Sequence, residues 1–253
     1  GERSGNIDGI ARHALGKFAH LHFASNEDAS NRLLKLGEEP FRVKNVGAPQ
    51  LDELIEEEFS SPELLSKKYL INDNEPYLLI VQHPVTEEMH LAEKQINILQ
   101  HSLKDFNIKK IWILPNNDAG AEIIRKSLIE NRNSDSLIFE NLTRTDYLGL
   151  LKNCKAIIGN SSSGLLEAPT FSIPCVNIGR RQHNRVKGKN VIDCSFNYDE
   201  CCSAIKKALS KEFLLEMDNC KNPYGDGKSS KRILNILQET KIDNKLLIKE
   251  ILF

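Results

Sequence analysis

The densest cluster of chemically useful residue types is Ile157-Ile158-Gly159-Asn160-Ser161-Ser162-Ser163-Gly164-Leu165-Leu166-Glu167-Ala168-Pro169. It reads as a strand, a tight turn and the start of a helix. Unpaired N–H groups and partial positive charge at a helix N-terminus attract anions. Small residues let a phosphate approach the backbone, and serine hydroxyls can cap the helix or donate to phosphate oxygens. The same residues also fit a plain serine-capped helix after a buried strand. Glu167 follows the turn by about one helical turn, so its side chain can face the same cleft.

A second group, Gly179-Arg180-Arg181-Gln182-His183-Asn184-Arg185, follows the apolar run Val176-Asn177-Ile178. Arginines at the carboxyl end of a strand can clamp a diphosphate bidentately. A solvated basic loop is the alternative, and what favours the clamp is placement, because both loops leave adjacent units on one sheet edge. His83-Pro84-Val85-Thr86 follows Leu79-Ile80-Val81 in the same way. A histidine there could serve as acid, base or phosphate contact, or be structural. His20 and His22 share a strand face but no third ligand accompanies them, so no metal site is expected. Gly225-Asp226-Gly227-Lys228-Ser229 looks like the end of a phosphate loop, yet Asn222 stands where that motif needs glycine and no strand precedes it.

These loops need a scaffold, and the hydrophobic pattern supplies one. The continuous apolar run Tyr77–Val81 reads as a strand buried on both faces and Ile111–Leu114 as the next buried strand, with further strands at Leu137–Phe139, Ala156–Ile158, Pro174–Ile178 and Val191–Asp193. Helical patterns at about 87–103, 119–130 and 147–151 lie between several of them. Shorter strands are expected at 20–24 and 41–46, with a helix at 27–36, and a tail helix from Lys231. Such alternation implies parallel βαβ units and an α/β fold with a doubly wound parallel sheet. Gly47-Ala48-Pro49 marks a boundary. The expected division is 1–48, then 49–225 as a nucleotide-binding domain, then 226–253 as a C-terminal helix.

The chain has 253 residues and a formal net charge of −1. Nothing in that balance draws nucleic acid or an anionic membrane, and no apolar run is as long as a bilayer span. The six cysteines show no C-x-x-C spacing and read as free thiols in a reducing cytosol.

Taken jointly, several motifs resemble the hydrolysing UDP-N-acetylglucosamine 2-epimerase family. They are Gly159–Gly164 with Glu167-Ala168-Pro169, Asn177–Gln182, His83–Thr86, Asn222–Gly227, Gly1-Glu2, Ile7-Asp8, Arg12-His13 and Asn45–Ala48. The resemblance implies two Rossmann-like domains of glycosyltransferase-B architecture, with a UDP-sugar held between them, and a place in sialic-acid-type sugar biosynthesis. It implies that residues 1–48 are the remainder of a first domain that is otherwise truncated, and that the tail packs back toward that domain. Matching by motif, Glu2 and Asp8 are candidates for proton transfer and His83 for sugar or phosphate contact and proton relay. Ser161, Ser162 and Arg181 would hold the diphosphate and Glu167 the ribose hydroxyls, with Ser163 and Gly164 also among the nucleotide-binding residues. Where the family carries two acidic residues this chain has Asp8-Gly9, so the second carboxylate is absent. No cofactor is expected, a homodimer is left open, and the isolated chain is expected to turn over little substrate. A glycosyltransferase of the same architecture and a non-catalytic nucleotide-sugar-binding fragment are the rival readings.

Overall fold

The computed structural model describes residues 1–3, 8–56, 58–72, 75–217 and 220–252. Its strands are β1 (His22–Ala24), β2 (Val43–Asn45), β3 (Tyr77–Val81), β4 (Lys109–Ile113), β5 (Ser136–Phe139), β6 (Ala156–Gly159), β7 (Cys175–Ile178) and β8 (Val191–Cys194). The helices up to β6 are α1 (Asp8–Phe18), α2 (Glu27–Lys35), α3 (Glu53–Glu56), α4 (Pro62–Tyr69), α5 (Ala92–Leu103), α6 (Ala121–Glu130) and α7 (Arg144–Asn153). After β6 come α8 (Ser163–Leu166), α9 (Tyr198–Ala208), α10 (Lys211–Glu216), α11 (Ser229–Glu239) and α12 (Asn244–Leu247). The chain forms two compact units. One comprises Gly1–Glu57, Asn184–Val186 and Asn222–Phe253, the other Glu58–His183 and Lys187–Lys221.

The larger unit is a six-stranded parallel sheet in the order β5-β4-β3-β6-β7-β8. Chain order reverses between β3 and β6, which makes the carboxyl ends of these two strands the switch point where open α/β sheets bind ligands. The two central strands, β3 and β6, carry no polar side chain besides Tyr77 because both of their faces are covered. Leu78, Ile80, Ile158, Val176 and Ile178 have no exposed surface, and they pack with Ile96 and Leu99 of α5 and Cys201 and Ile205 of α9. Gly159 ends β6 at φ +127°, and a Cβ there would meet the Val81 carbonyl oxygen at 2.2 Å. Only glycine allows β6 to turn so close to β3.

The smaller unit pairs β1 and β2 in parallel over a small core of Ala24, Ala29 and Leu33. The strand expected at 41–46 begins only at Val43, because Pro40–Arg42 forms a 3-10 turn. Arg42 is wholly buried there, donating to the carbonyls of His20, Lys245, Leu246 and Ile248. Residues 49–57 belong to this unit rather than to the sheet domain. Asp52 explains why: its carboxylate accepts the Ser229 N–H at 2.9 Å and the Ser230 N–H at 2.5 Å, capping α11 from far away in sequence. The expected helix over 87–103 is also shortened, with a 3-10 stretch over Thr86–Leu91 before α5 begins.

Candidate functional site

In the larger unit, Asn160 joins the three loops that the sequence singles out. It is 1% exposed. Its Oδ1 accepts the His83 N–H at 2.7 Å and its Nδ2 donates to the His83 carbonyl at 2.8 Å. Its own carbonyl accepts from Arg181 Nη1 at 3.2 Å and Gln182 Nε2 at 2.8 Å. The ends of β3, β6 and β7 are therefore tied at one buried amide. In the sequence Asn160 stands out only as one member of the Gly159–Gly164 motif; the partners that give it this role are 77 positions upstream and 21–22 downstream.

His83 contacts Asn116 through Nδ1, at 3.2 Å to Oδ1 and 3.4 Å to the backbone nitrogen, the operative bond depending on the tautomer. Burial, and then the nearby Arg181 guanidinium, push its pKa down to about 4. The imidazole is therefore neutral near pH 7, with one nitrogen to donate and one to accept. The two neighbouring arginines part company. Arg180 pairs with Glu88 and lies 3.8 Å from Glu87, whereas Arg181 turns to the Asn160 carbonyl beside His83.

The serine turn is tighter than its sequence suggests. The helix that follows is a single turn, Ser163–Leu166, succeeded by a 3-10 turn over Ala168–Phe171. Ser162 occupies the N-cap position without a side-chain capping bond. Instead the Ser161 hydroxyl accepts the Ser163 N–H at 3.3 Å. Ser161 and Ser162 are half-buried, while Ser163 and Gly164 are buried. Gly164 permits close packing, since a Cβ there would lie 2.3 Å from Cys175 Sγ. Glu167, 7% exposed, accepts from the Ser163 hydroxyl and is paired with Arg144 Nη2 at 2.5 Å. Arg144 opens α7 behind its N-cap Thr143. No motif in the sequence marks it; a capped helix start was the only signal.

Beside this junction, at the carboxyl ends of β3, β4 and β5, lies a cavity of about 660 Å³. His83, Asn116, Arg125, Glu140, Arg144 and Tyr147 are among its walls. The size suits a small polar ligand. No group of side chains among the described residues is arranged to hold a metal ion.

Glu2 and Asp8 belong to the smaller unit. Glu2 Oε1 lies 3.6 Å from Arg185 Nε, and the Glu2 carbonyl accepts from Arg12 Nη1 at 3.2 Å. Tyr224, fully buried, donates its hydroxyl to the Val186 carbonyl. Burial, then the Glu2 charge, raise its pKa. Glu2 Oε1 and the Nε and Nη1 of Arg185 are buried with no hydrogen-bond partner among the described residues. Asp8 begins α1, and its side chain lies outside the described residues.

A doubly wound parallel sheet with its polar loops gathered at the switch point defines an α/β protein of the Rossmann-like class, whose ligands are expected at those strand ends. Residues 1–238 match the family described as UDP-N-acetylglucosamine 2-epimerase, and the chain belongs to that family. It is 34% identical over 250 residues to a Legionella pneumophila UDP-N,N'-diacetylbacillosamine 2-epimerase (hydrolyzing), covering 98% of this chain and 65% of that protein. It is 37% identical over 213 residues to a Campylobacter jejuni GDP/UDP-N,N'-diacetylbacillosamine 2-epimerase (hydrolyzing), covering 83% and 55%. The chain thus spans 55–65% of the length of these relatives. Among solved structures, the Neisseria meningitidis UDP-GlcNAc 2-epimerase bound to UDP-GlcNAc superposes with a TM-score of 0.78 at 19% identity, covering 92% of this chain and 65% of that one. A glycosyltransferase involved in lipopolysaccharide biosynthesis gives 0.52 at 14% identity, covering 87% and 62%. At these identities the likeness is one of fold. No helix among the described residues is long and apolar enough to cross a membrane.

Proposed function

We propose that this chain is the nucleotide-gripping part of a hydrolysing 2-epimerase that acts on UDP-N-acetylglucosamine or a close 2-acetamido nucleotide sugar. The observation that carries the proposal is the junction at Asn160, which brings His83, Arg181 and the serine turn to one switch point beside a polar cavity. In this reading Arg181, Ser161 and Ser162 face the diphosphate, Ser163 and Gly164 shape the turn, and Glu167 receives the ribose hydroxyls.

The reaction removes the proton on carbon 2 and breaks the bond from carbon 1 to the diphosphate. UDP leaves and a glycal remains. Water then adds across the double bond to give free N-acetylmannosamine. Substrate plus water becomes product plus UDP, with no net oxidation or reduction. Fixed positive charge at Arg181 favours departure of the diphosphate, because it is already in place when negative charge develops. Neutral His83 can pass a proton at the sugar or contact the phosphate. Glu2 and Asp8 are the proposed carboxylates for proton transfer in the smaller unit.

Calorimetry with UDP and a coupled UDP-release assay test the proposal. UDP should bind weakly, with slight turnover of substrate by the isolated chain. Failure to bind UDP would overturn the reading. The fold likeness to a glycosyltransferase supports one rival, which product analysis separates: that activity joins sugar to an acceptor, whereas the epimerase releases it free.

A further inference from the structure

Glu167 is held by side chains from both loops that meet beside the cavity. Its Oε2 accepts the Ser163 hydroxyl, from one turn earlier on its own segment. Its Oε1 is paired with Arg144 Nη2 at 2.5 Å, from the start of α7. Tyr147, one turn further along α7, has its pKa raised by burial and then by the Glu167 charge. Arg144, Glu167 and Ser163 thus link α7 to the serine turn through one carboxylate. Arg144 and Tyr147 also line the cavity.

The start of α7 is itself anchored. Asp146, 2% exposed, accepts from the Ser60 hydroxyl and the Tyr69 hydroxyl, each at 2.5 Å, and from Lys68. Its N–H is capped by Thr143. The guanidinium therefore projects from an anchored helix start, while Glu167 lies at the end of a one-turn helix. A carboxylate offers about four acceptor sites. Ser163 and Arg144 engage different oxygens, which holds the carboxylate in one orientation.

We propose that Arg144 is a positioning residue that fixes the Glu167 carboxylate to receive the vicinal diol of a ribonucleotide, and so sets selection for ribose over deoxyribose. This rests on the assignment of the site to a UDP-sugar. Arg144 is 38% exposed at its side chain, and its replacement should loosen Glu167; R144K keeps a cation beside the buried carboxylate.

The test measures binding of UDP and 2′-deoxy-UDP by calorimetry to the wild-type chain, R144Q, R144K, E167Q and the double variant R144Q/E167Q. Wild type should prefer UDP by about tenfold or more, the scale of one hydrogen bond to a charged group. R144Q should bring the preference to about twofold or less, with 2′-deoxy-UDP binding nearly unchanged. R144K should recover part of it by restoring the charge without the planar fork. The double variant should match E167Q, because Arg144 acts through Glu167. Equal losses for both nucleotides in R144Q, or an added loss from R144Q in the E167Q background, would overturn the proposal and leave the site assignment standing. Should R144Q not fold, an unchanged preference in R144K would overturn it equally. Wild-type protein that binds neither nucleotide would overturn the assignment and this inference together.

Discussion

Two arginines stand side by side at the head of one loop, and their surroundings give them different work. Arg180 is drawn to Glu87 and Glu88, whereas Arg181 lies against the Asn160 carbonyl and lowers the pKa of His83. Arg181→Ala should therefore weaken UDP binding about tenfold to a hundredfold, the scale of charge-assisted bonds, and leave uridine binding little changed. Equal losses by calorimetry would place Arg181 away from the diphosphate. The same variant tests the electrostatics. In wild type an NMR titration should show His83 neutral until about pH 4. In Arg181→Ala the midpoint should rise, though not to the ordinary 6.5, because burial is the larger cause. A folded-state pKa below the unfolded value means that the neutral form is favoured by folding. The contribution of His83 to stability is thus fully present above about pH 6.5 and is lost as pH falls toward 4.

At the scale of elements, close approach of helix and strand determines what the turn can tolerate. Gly164 sits against Cys175 of β7, where an added Cβ would find the sulfur at 2.3 Å. Gly164→Ala should cost about 1–3 kcal/mol in chemical denaturation, as overpacking does. Cys175→Ala should restore much of that loss in the double variant by removing the sulfur. A double variant no more stable than Gly164→Ala would show that backbone strain, not the sulfur, is the obstacle. In the smaller unit the decisive element is the terminal segment. Lys249 donates to Glu38 and to the carbonyls of Gly16, Lys17 and Ala19 at the end of α1, while Leu252 N–H donates to the Gly37 carbonyl.

For the whole molecule, acid stability should reflect that buried carboxylate. Burial alone would raise the pKa of Glu38, but hydrogen bonds from Lys249, Lys17 and His22 outweigh it and bring the value down to about 2. A depressed carboxylate stabilises the folded state above its unfolded pKa, near 4.5, and that contribution disappears as pH falls from there to about 2. Thermal melts followed by circular dichroism should show wild type losing stability across this window. Glu38→Gln should be less stable at neutral pH and change less on acidification. An identical acid slope in both would remove Glu38 from the account.

The chain's local chemistry already carried much of this. Unbroken apolar runs such as Tyr77–Val81 can be satisfied only when both faces of a strand are covered, so the parallel sheet was legible from their alternation with helical patterns. Gly159, the serine run, Arg181 and His83 were visible because each sits directly after such a run. Tertiary structure alone decided which of those groups meet. Asn160 finds His83 and Arg181 only because β3, β6 and β7 lie side by side, an adjacency that chain order does not contain. Arg144 reaches Glu167 from a helix that no motif marks. The limit of the first unit was likewise hidden. Residues 49–57 follow a glycine-proline break that reads as a boundary, yet Asp52 binds them to a helix start 177 positions away. Local sequence fixes backbone preference and hydrophobic periodicity, which act over a few residues. Partners for buried polar groups are chosen only when distant segments are packed together, because leaving such groups unpaired in the interior is costly.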